Sequence, residues 1–362
     1  MDGCEIDFAD NSAGLWDGAT VAAASATNFL KWASTIKRTG SGGVQMRAGI
    51  NSNYAYLSKT IASVVEMYKG FGFYWDSYYP LSEGAANVVS MVVLASNTGA
   101  YQVTLAIDIT SNVLRVFRGG SNGTLLGTGV TAVTADIQHY VEMNTVIHDT
   151  AGAITVRLNG NVEIAVTSVD TNTVGGDIVT IMVGVPRSST AGNGGRGSFY
   201  YDDIIINDTT GTVSNSWPNG AGVEMLVPSA DGNYTAWTST GGAVDYTEID
   251  DVTTYGNLPD DDTTTILSGT LDQRTSVALS NTVQVGQVEA VMLCTYAKNS
   301  AAGADEMAQG VRISTTDYDS ATFIPATSYG WQKNILTLSP ATSARWTTAE
   351  IDAMEMGWRR AT

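Results

Sequence analysis

Paired carboxylates are the residues of this chain whose types and spacing most directly suggest chemistry. Two of them about 5 to 5.5 Å apart, one a nucleophile and one an acid/base, suffice for retaining hydrolysis of a glycosidic bond. Glu350-Ile351-Asp352-Ala353-Met354-Glu355 offers such a pair, and Glu5-Ile6-Asp7-Phe8-Ala9-Asp10 lacks only the last glutamate. Context weighs against both. On a strand Glu350 and Glu355 point to opposite faces unless a bulge intervenes. Trp346-Thr347-Thr348 reads instead as a helix start, with Thr347 or Thr348 as cap and Glu350 in the first turn. Glu5 lies at the start of the first strand. No catalytic residue is assigned, and the chain is expected not to be an enzyme.

Acidic clusters come next. Oxygen-rich loops suit Ca²⁺, and Asp260, Asp261 and Asp262 lead the candidates over Asp250-Asp251 and Asp202-Asp203 with Asp208. No twelve-residue calcium-loop spacing is present, and the alternative is solvated turn residues, with Asp203 turned inward onto a neighbouring loop. No other cofactor is called for. The nine residues Phe71-Gly72-Phe73-Tyr74-Trp75-Asp76-Ser77-Tyr78-Tyr79 hold six aromatics. On a strand Phe71, Phe73 and Trp75 share the core face and Tyr74 takes the other. Tyr74, Tyr78 and Tyr79 are therefore the candidates for a subunit contact or a glycan platform, because a tyrosine is apolar along its ring and polar at its tip. His139 and His148 flank strand-like stretches without an evident partner. Cys4 and Cys294 are expected to be unpaired thiols.

The elements that position these residues are strands. Gly is 38 of 362 residues, Pro only 7, and charged residues 15%, a profile of short strands joined by tight polar turns. Val88–Leu94, Tyr101–Ile107 and Asn112–Arg118 are separated by Gly/Asn turns. Tyr140–Ile147, Ile154–Leu158 and Val162–Val166 follow, the last two joined by Asn159-Gly160, the strongest short turn signal. The Gly-rich run 191–197 opens a strand, not a helix, which excludes a phosphate cradle. Shorter strands occupy Gly222–Val227, Thr263–Leu267, Thr275–Leu279, Val288–Tyr296, Gln309–Ile313 and Trp331–Leu338. The fold expected is all-β, two antiparallel β-sandwich domains over 1–212 and 213–362, with helix confined to about one turn near Thr348–Met354.

Charge excludes further classes. Lys and Arg total 18 against 36 Asp and Glu, a net charge of −18. Nucleic acid and anionic membrane surfaces are bound through clustered cations, so neither is an expected partner. No apolar run is long enough for a membrane span. The acidic opening MDGCEIDFADN is unlike a secretory signal, so folding in a cytoplasm is expected.

The hairpin HYVEMNTVIHDTAGAITVRLNGNVEIAV and the closing strand FYYDDIIIND resemble the laminin-G-like, concanavalin A-like jelly roll. The opening MDGCEIDF, Leu30-Lys31-Trp32, and in the second half VEMLVPSADGNYTAWTSTGG, PDDDTTTILSGTLDQ and RWTTAEIDAMEMGW resemble virion structural proteins of tailed bacteriophages. That resemblance implies a virion component, a tail or fibre appendage subunit before a head decoration, assembled in the host cytoplasm. Its implied partners are other virion proteins, further copies of itself and a host-surface glycan. The alternatives are a lectin-like module for host adsorption and a polysaccharide hydrolase.

Overall fold

Period-2 alternation between Gly and Asn turns builds sheets along the whole chain. The computed structural model describes residues 16–21, 29–40, 42–48, 54–78, 88–108, 110–186, 197–242, 244–251, 259–260, 262–283, 286–300, 303 and 305–361. The chain divides into two units between Val223 and Glu224. That division is later than the 212/213 boundary expected, because the segment after the last long strand stays with the first unit.

The first unit runs β1 Gly18–Val21, β2 Phe29–Ala33, β3 Gly43–Ala48, β4 Ala55–Val64, β5 Glu66–Trp75, β6 Val88–Ala95 and β7 Tyr101–Asp108. It continues with β8 Val113–Arg118, β9 Thr124–Ala132, β10 His139–Val146, β11 Gly152–Leu158, β12 Asn161–Val169, β13 Ile178–Val185 and β14 Gly197–Asp208. Two seven-stranded antiparallel sheets result, ordered β1-β4-β13-β6-β7-β8-β9 and β12-β11-β10-β5-β14-β3-β2. Asn159 and Gly160, at φ 51° and 83°, make the tight turn between β11 and β12. Both central residues of that turn type need positive φ, which Asn and Gly tolerate best.

The sheets enclose one core that takes Phe71, Phe73 and Trp75 from β5, Val141 and Met143 from β10, and Leu94, Leu105 and Val183 from the opposite sheet. Tyr74 lies on the other face, as alternation requires. Tyr201 crosses this core: its hydroxyl donates to the Gly184 carbonyl at 2.8 Å and sits 3.2 Å from that of Met91. One phenol thus ties β14 to the opposite sheet and satisfies its own buried hydroxyl.

The second unit runs β15 Pro228–Thr235, β16 Thr238–Ser239, β17 Ile266–Leu267, β18 Arg274–Leu279, β19 Val291–Ala297, β20 Met307–Ile313, β21 Thr316–Asp319, β22 Gly330–Leu336, α1 Thr348–Ala353 and β23 Glu355–Arg360. A five-stranded sheet β15-β18-β23-β20-β21 accompanies the ribbons β16-β17 and β19-β22 around Val277, Leu293, Trp346, Met356 and Trp358. Gly222–Val227 is not a strand here, since pairing begins only at Pro228. α1 starts as its residues dictate: Thr347 caps it, and the Glu350 side chain reaches back to the Thr347 amide in a reciprocal capping box. The all-β, antiparallel expectation holds.

One core residue breaks its own pattern. Lys69 shares the inward face of β5 with Met67 and Phe71, is 2% exposed, and reaches only the Thr145 hydroxyl, at 3.1 Å. Burial pulls its ammonium down to about 7. In the unfolded chain the same group titrates near 10.4, so the folded state binds its proton less tightly. Its contribution to stability therefore rises as pH climbs from about 7 to about 10 and is lost on the acid side of that window. Lys69→Met, which keeps the volume and removes the charge, is expected to raise the urea midpoint at pH 7 and to flatten its rise with pH between those values. An unchanged pH profile in the variant overturns this account.

Candidate functional site

The sequence Lys69-Gly70-Phe71-Gly72-Phe73 sends its phenylalanines into the core and leaves Gly70 and Gly72 on the outer face of the sheet. Two missing side chains in the middle of a sheet make a trough. Neighbouring β10 uses the same alternation: Val141 and Met143 point inward, so Tyr140 and Glu142 stand on the trough side. Glu142 lies opposite Gly70 on β5 and Arg157 on β11. Tyr140 fills the space over Gly70, where an added β-carbon would stand 2.5 Å from its Oη and 3.1 Å from Pro218 Cγ. The stem of Arg38 fills the space over Gly72, whose added β-carbon would stand 3.1 Å from Arg38 Cδ.

Both arginines lie on aromatic rings. The Arg38 guanidinium is 4.3 Å from the Tyr140 ring centre, and that of Arg157 is 3.7 Å from Trp217. Trp217 packs edge-on against Tyr68 at 5.3 Å and begins a strap, Trp217–Val223, that borders the trough. The Asn219 amide donates to Glu142 at 2.6 Å, and Arg38 donates to the Gly220 carbonyl at 2.5 Å and to that of Ala221 at 3.1 Å. Between strap and sheet is a cleft of about 440 Å³, lined by Arg38, Gln138, Tyr140, Glu142, Arg157 and Asn219 among others.

Three buried polar atoms in this lining have no hydrogen-bond partner: Tyr140 Oη, Arg157 Nε and Gln138 Oε1. Each costs free energy as it stands, so their convergence on one cleft points to a ligand that satisfies them. Burial and the nearby Glu142 charge raise the Tyr140 phenol well above its ordinary value, which keeps it protonated and a donor. Burial raises the Glu142 carboxyl, opposed by the Asn219 and Gly220 amides and by Arg157. His139 also lines the cleft, but its nitrogens are engaged. Nε2 is 2.9 Å from the Thr134 carbonyl, which can only accept, and Nδ1 faces the Asn159 amide group at 3.2 Å.

The residues singled out from sequence lie elsewhere. Tyr74 donates to Asp136 at 3.1 Å and packs edge-on to Tyr200, Tyr78 is 80% exposed, and Tyr79 lies outside the described residues. Asp260 is turned onto the Thr264 amide at 3.0 Å, and Asp262 pairs with Lys298 at 2.6 Å, so protein donors occupy their carboxylates. Asp261 lies outside the described residues. Among the described residues no group of three or more His, Cys, Asp or Glu could hold a metal ion. Glu350 caps α1, whereas Glu355 accepts from the Asn233 amide at 2.8 Å and the Ser276 hydroxyl at 2.6 Å. Glu5, Asp7 and Cys4 are outside the described residues, and Cys294 is half-buried. His148 accepts the Thr150 and Ala151 amides at 3.0 Å and shapes a turn. Asp203 does turn inward onto a loop, through Arg38.

No protein-family model and no curated protein matches the chain. Solved structures do resemble it. An endo-β-1,4-glucuronan lyase from the fungus Trichoderma reesei is 15% identical, with 53% of this chain and 91% of that one covered at a TM-score of 0.40. An alginate lyase from a Chlorella virus is 13% identical, covering 55% and 95% at 0.36. A Trypanosoma rangeli sialidase is 11% identical, covering 52% of this chain and 30% of that one at 0.33. At such identities the likeness concerns the fold alone, a β-sandwich, and says nothing of a substrate. Two of these neighbours are named as lyases and one as a sialidase, and against them the expectation that the chain is not an enzyme is withdrawn.

The trough itself is testable. Gly70→Ala is expected to lower stability by about 1 to 3 kcal/mol, since a rigid ring and a proline must shift. In a Tyr140→Ala background the same change is expected to cost less than half as much, as the ring it meets is gone. Urea unfolding of the four chains checks this, and equal costs in both backgrounds would refute the trough.

Proposed function

We propose that the first unit is a carbohydrate-active module whose cleft takes a saccharide chain bearing carboxylates. The observation that carries the reading is the set of unpartnered Tyr140 Oη, Arg157 Nε and Gln138 Oε1 in one cleft. A sugar offers hydroxyls that both donate and accept, so it can satisfy two donors and an acceptor together. Arg157, stacked on Trp217 and with its Nε unspent, is the group suited to a uronate carboxylate. Arg38 is already committed to Asp203 and to two strap carbonyls and acts as support.

The cleft favours elimination over hydrolysis. Hydrolysis uses two carboxyl groups across the scissile bond, whereas the lining contains one, Glu142, and the Asn219 amide occupies it. Elimination beside a uronate carboxylate removes the proton on the carbon next to that carboxylate, forms a carbon–carbon double bond and breaks the bond to the departing oxygen, so it needs a cation, a base and an acid. Arg157 is the cation on the carboxylate, Glu142, the one carboxylate of the lining, takes the carbon-bound proton, and the protonated Tyr140 phenol gives a proton to the departing oxygen. A virion location and self-assembly are proposed separately, on the sequence resemblance alone.

Titration calorimetry with an oligomer of glucuronic acid tests the binding. Wild type is expected to bind, and Arg157→Ala to weaken binding at least tenfold, a loss of about 1.4 kcal/mol or more. Tyr140→Phe is expected to weaken binding less than Arg157→Ala does while forming fewer unsaturated chain ends. Equal affinity of wild type and Arg157→Ala would reject the cleft as the binding site.

A further inference from the structure

We propose that Asp202 and Asp203 are positioning residues for the cleft, together holding Arg38 and the strap Trp217–Val223 in the geometry that receives a ligand. This rests on the reading of the cleft as a saccharide site. Neither residue lines the cleft, and neither is part of the set proposed to touch sugar.

The placement begins with a break in register. β14 pairs with β5 through Asp202 opposite Gly72 and resumes with Ile205 opposite Gly70, so Asp203 and Ile204 form a bulge. Asp203 takes φ 49° there. Strict alternation would send consecutive side chains to opposite faces, but the bulge lets both carboxyls serve one anchor. Both are buried, at 2% and 0% exposure.

Each carboxyl holds a different set of three groups. Asp202 accepts the Arg38 amide at 2.7 Å and the Thr39 amide at 3.1 Å through one oxygen, and its own neighbour's amide at 2.8 Å through the other. Asp203 accepts the Arg38 guanidinium at 2.7 Å, the Val223 amide at 2.8 Å and the Thr39 hydroxyl. Arg38 then passes the connection on to the Gly220 and Ala221 carbonyls. Two segments far apart in sequence, 38–39 and 219–223, are thus fastened to one point, and they contribute Arg38, Asn219 and Gly220 to the cleft wall.

The charges do not balance at that point. On β14 there are two carboxyls; the loop brings one cation, Arg38, while Lys37 beside it is exposed. β10 adds Glu142 and the Tyr140 hydroxyl, and β11 adds Arg157. β5 and β3 bring Gly72 and Gly43 up against Asp202. One cation therefore faces two carboxyls. Burial and the Asp203 charge, opposed by the amides of Arg38, Thr39 and Asp203, push Asp202 up to about 8. Ionisation of Asp202 above that pH sets two negative charges side by side in the anchor and loosens both segments.

Hydrogen exchange at the Arg38, Thr39 and Val223 amides, followed by NMR across that pH, reads the anchor without any ligand. Wild type is expected to lose at least tenfold protection at these amides as pH rises past about 8, while Val141 and Met143 in the sheet keep theirs. Asp202→Asn is expected to abolish that pH dependence. Asp203→Asn is expected to lose Val223 protection at every pH and to bind the glucuronic acid oligomer at least tenfold more weakly. Thr39→Val, a milder cut in the same anchor, should do both to a smaller degree if Asp203→Asn fails to fold. Unchanged protection in all variants overturns the proposal, as does lost protection with undiminished affinity. Protection that changes as expected while wild type binds no oligomer leaves the anchor in place and removes the saccharide reading.

Discussion

Everything at the cleft depends on two hydrogens that stand where β-carbons would be. A sheet strand must put something on each face, and β5 puts phenylalanine on one and glycine on the other. The phenylalanines supply the core that makes the strand worth burying, at roughly 1.5 to 3 kcal/mol for each fully buried ring. The glycines weaken the strand locally, and the deficit is recovered because Tyr140 and the Arg38 stem pack into the space they leave. Core and cleft are two faces of one five-residue pattern.

From that constraint the remaining architecture follows in order. Tyr140 and Arg38 can stack only because the trough admits both, and stacking fixes the guanidinium where it meets Asp203 and the strap carbonyls. Glu142 and Arg157 are then left facing each other across β10 and β11, with the strap's Asn219 amide and Trp217 ring as their partners. The strap has no regular secondary structure of its own. Its seat consists of contacts to charged side chains, a weaker and more adjustable attachment than a strand ladder, and one suited to a wall that must accommodate a ligand.

Much of the fold was legible because period-2 alternation and Asn-Gly turns are local signals. The face assignment of Phe71, Phe73, Trp75 and Tyr74 and the capping role of Glu350 could each be read within ten residues. The cleft was not legible for the opposite reason. Arg38, Tyr140, Arg157 and Asn219 lie on four segments that meet only through sheet order, and the order β11-β10-β5-β14 is not written in any one stretch. A signal did exist in Gly70 and Gly72, whose alternation with phenylalanine marks a face with no side chains. The clustered tyrosines and aspartates are the stronger pattern along the chain, but clustering in sequence says little about convergence in space. The division at Val223/Glu224 lies past 212/213 for a similar reason: a strap held by side chains looks like a linker until its partners are known.

The chain's net charge of −18 sets a limit on how an acidic sugar could be held. Up to residue 212 there are 11 basic and 18 acidic residues, a balance of −7, so the field around the first unit repels such a polymer at a distance. Screening confines that repulsion to roughly 8 Å at physiological salt. Within the cleft the count is different. Asp203 neutralises Arg38, Glu142 opposes Arg157, and raising the pKa of Glu142 by burial lessens that opposition. Affinity must therefore come from directional contacts at short range, a guanidinium fork, a phenol donor and a ring to stack on, and not from a diffuse basic surface. A site of this kind discriminates by geometry: a chain that cannot place a carboxylate on Arg157 and a hydroxyl on Tyr140 at once meets the repulsion without the compensation.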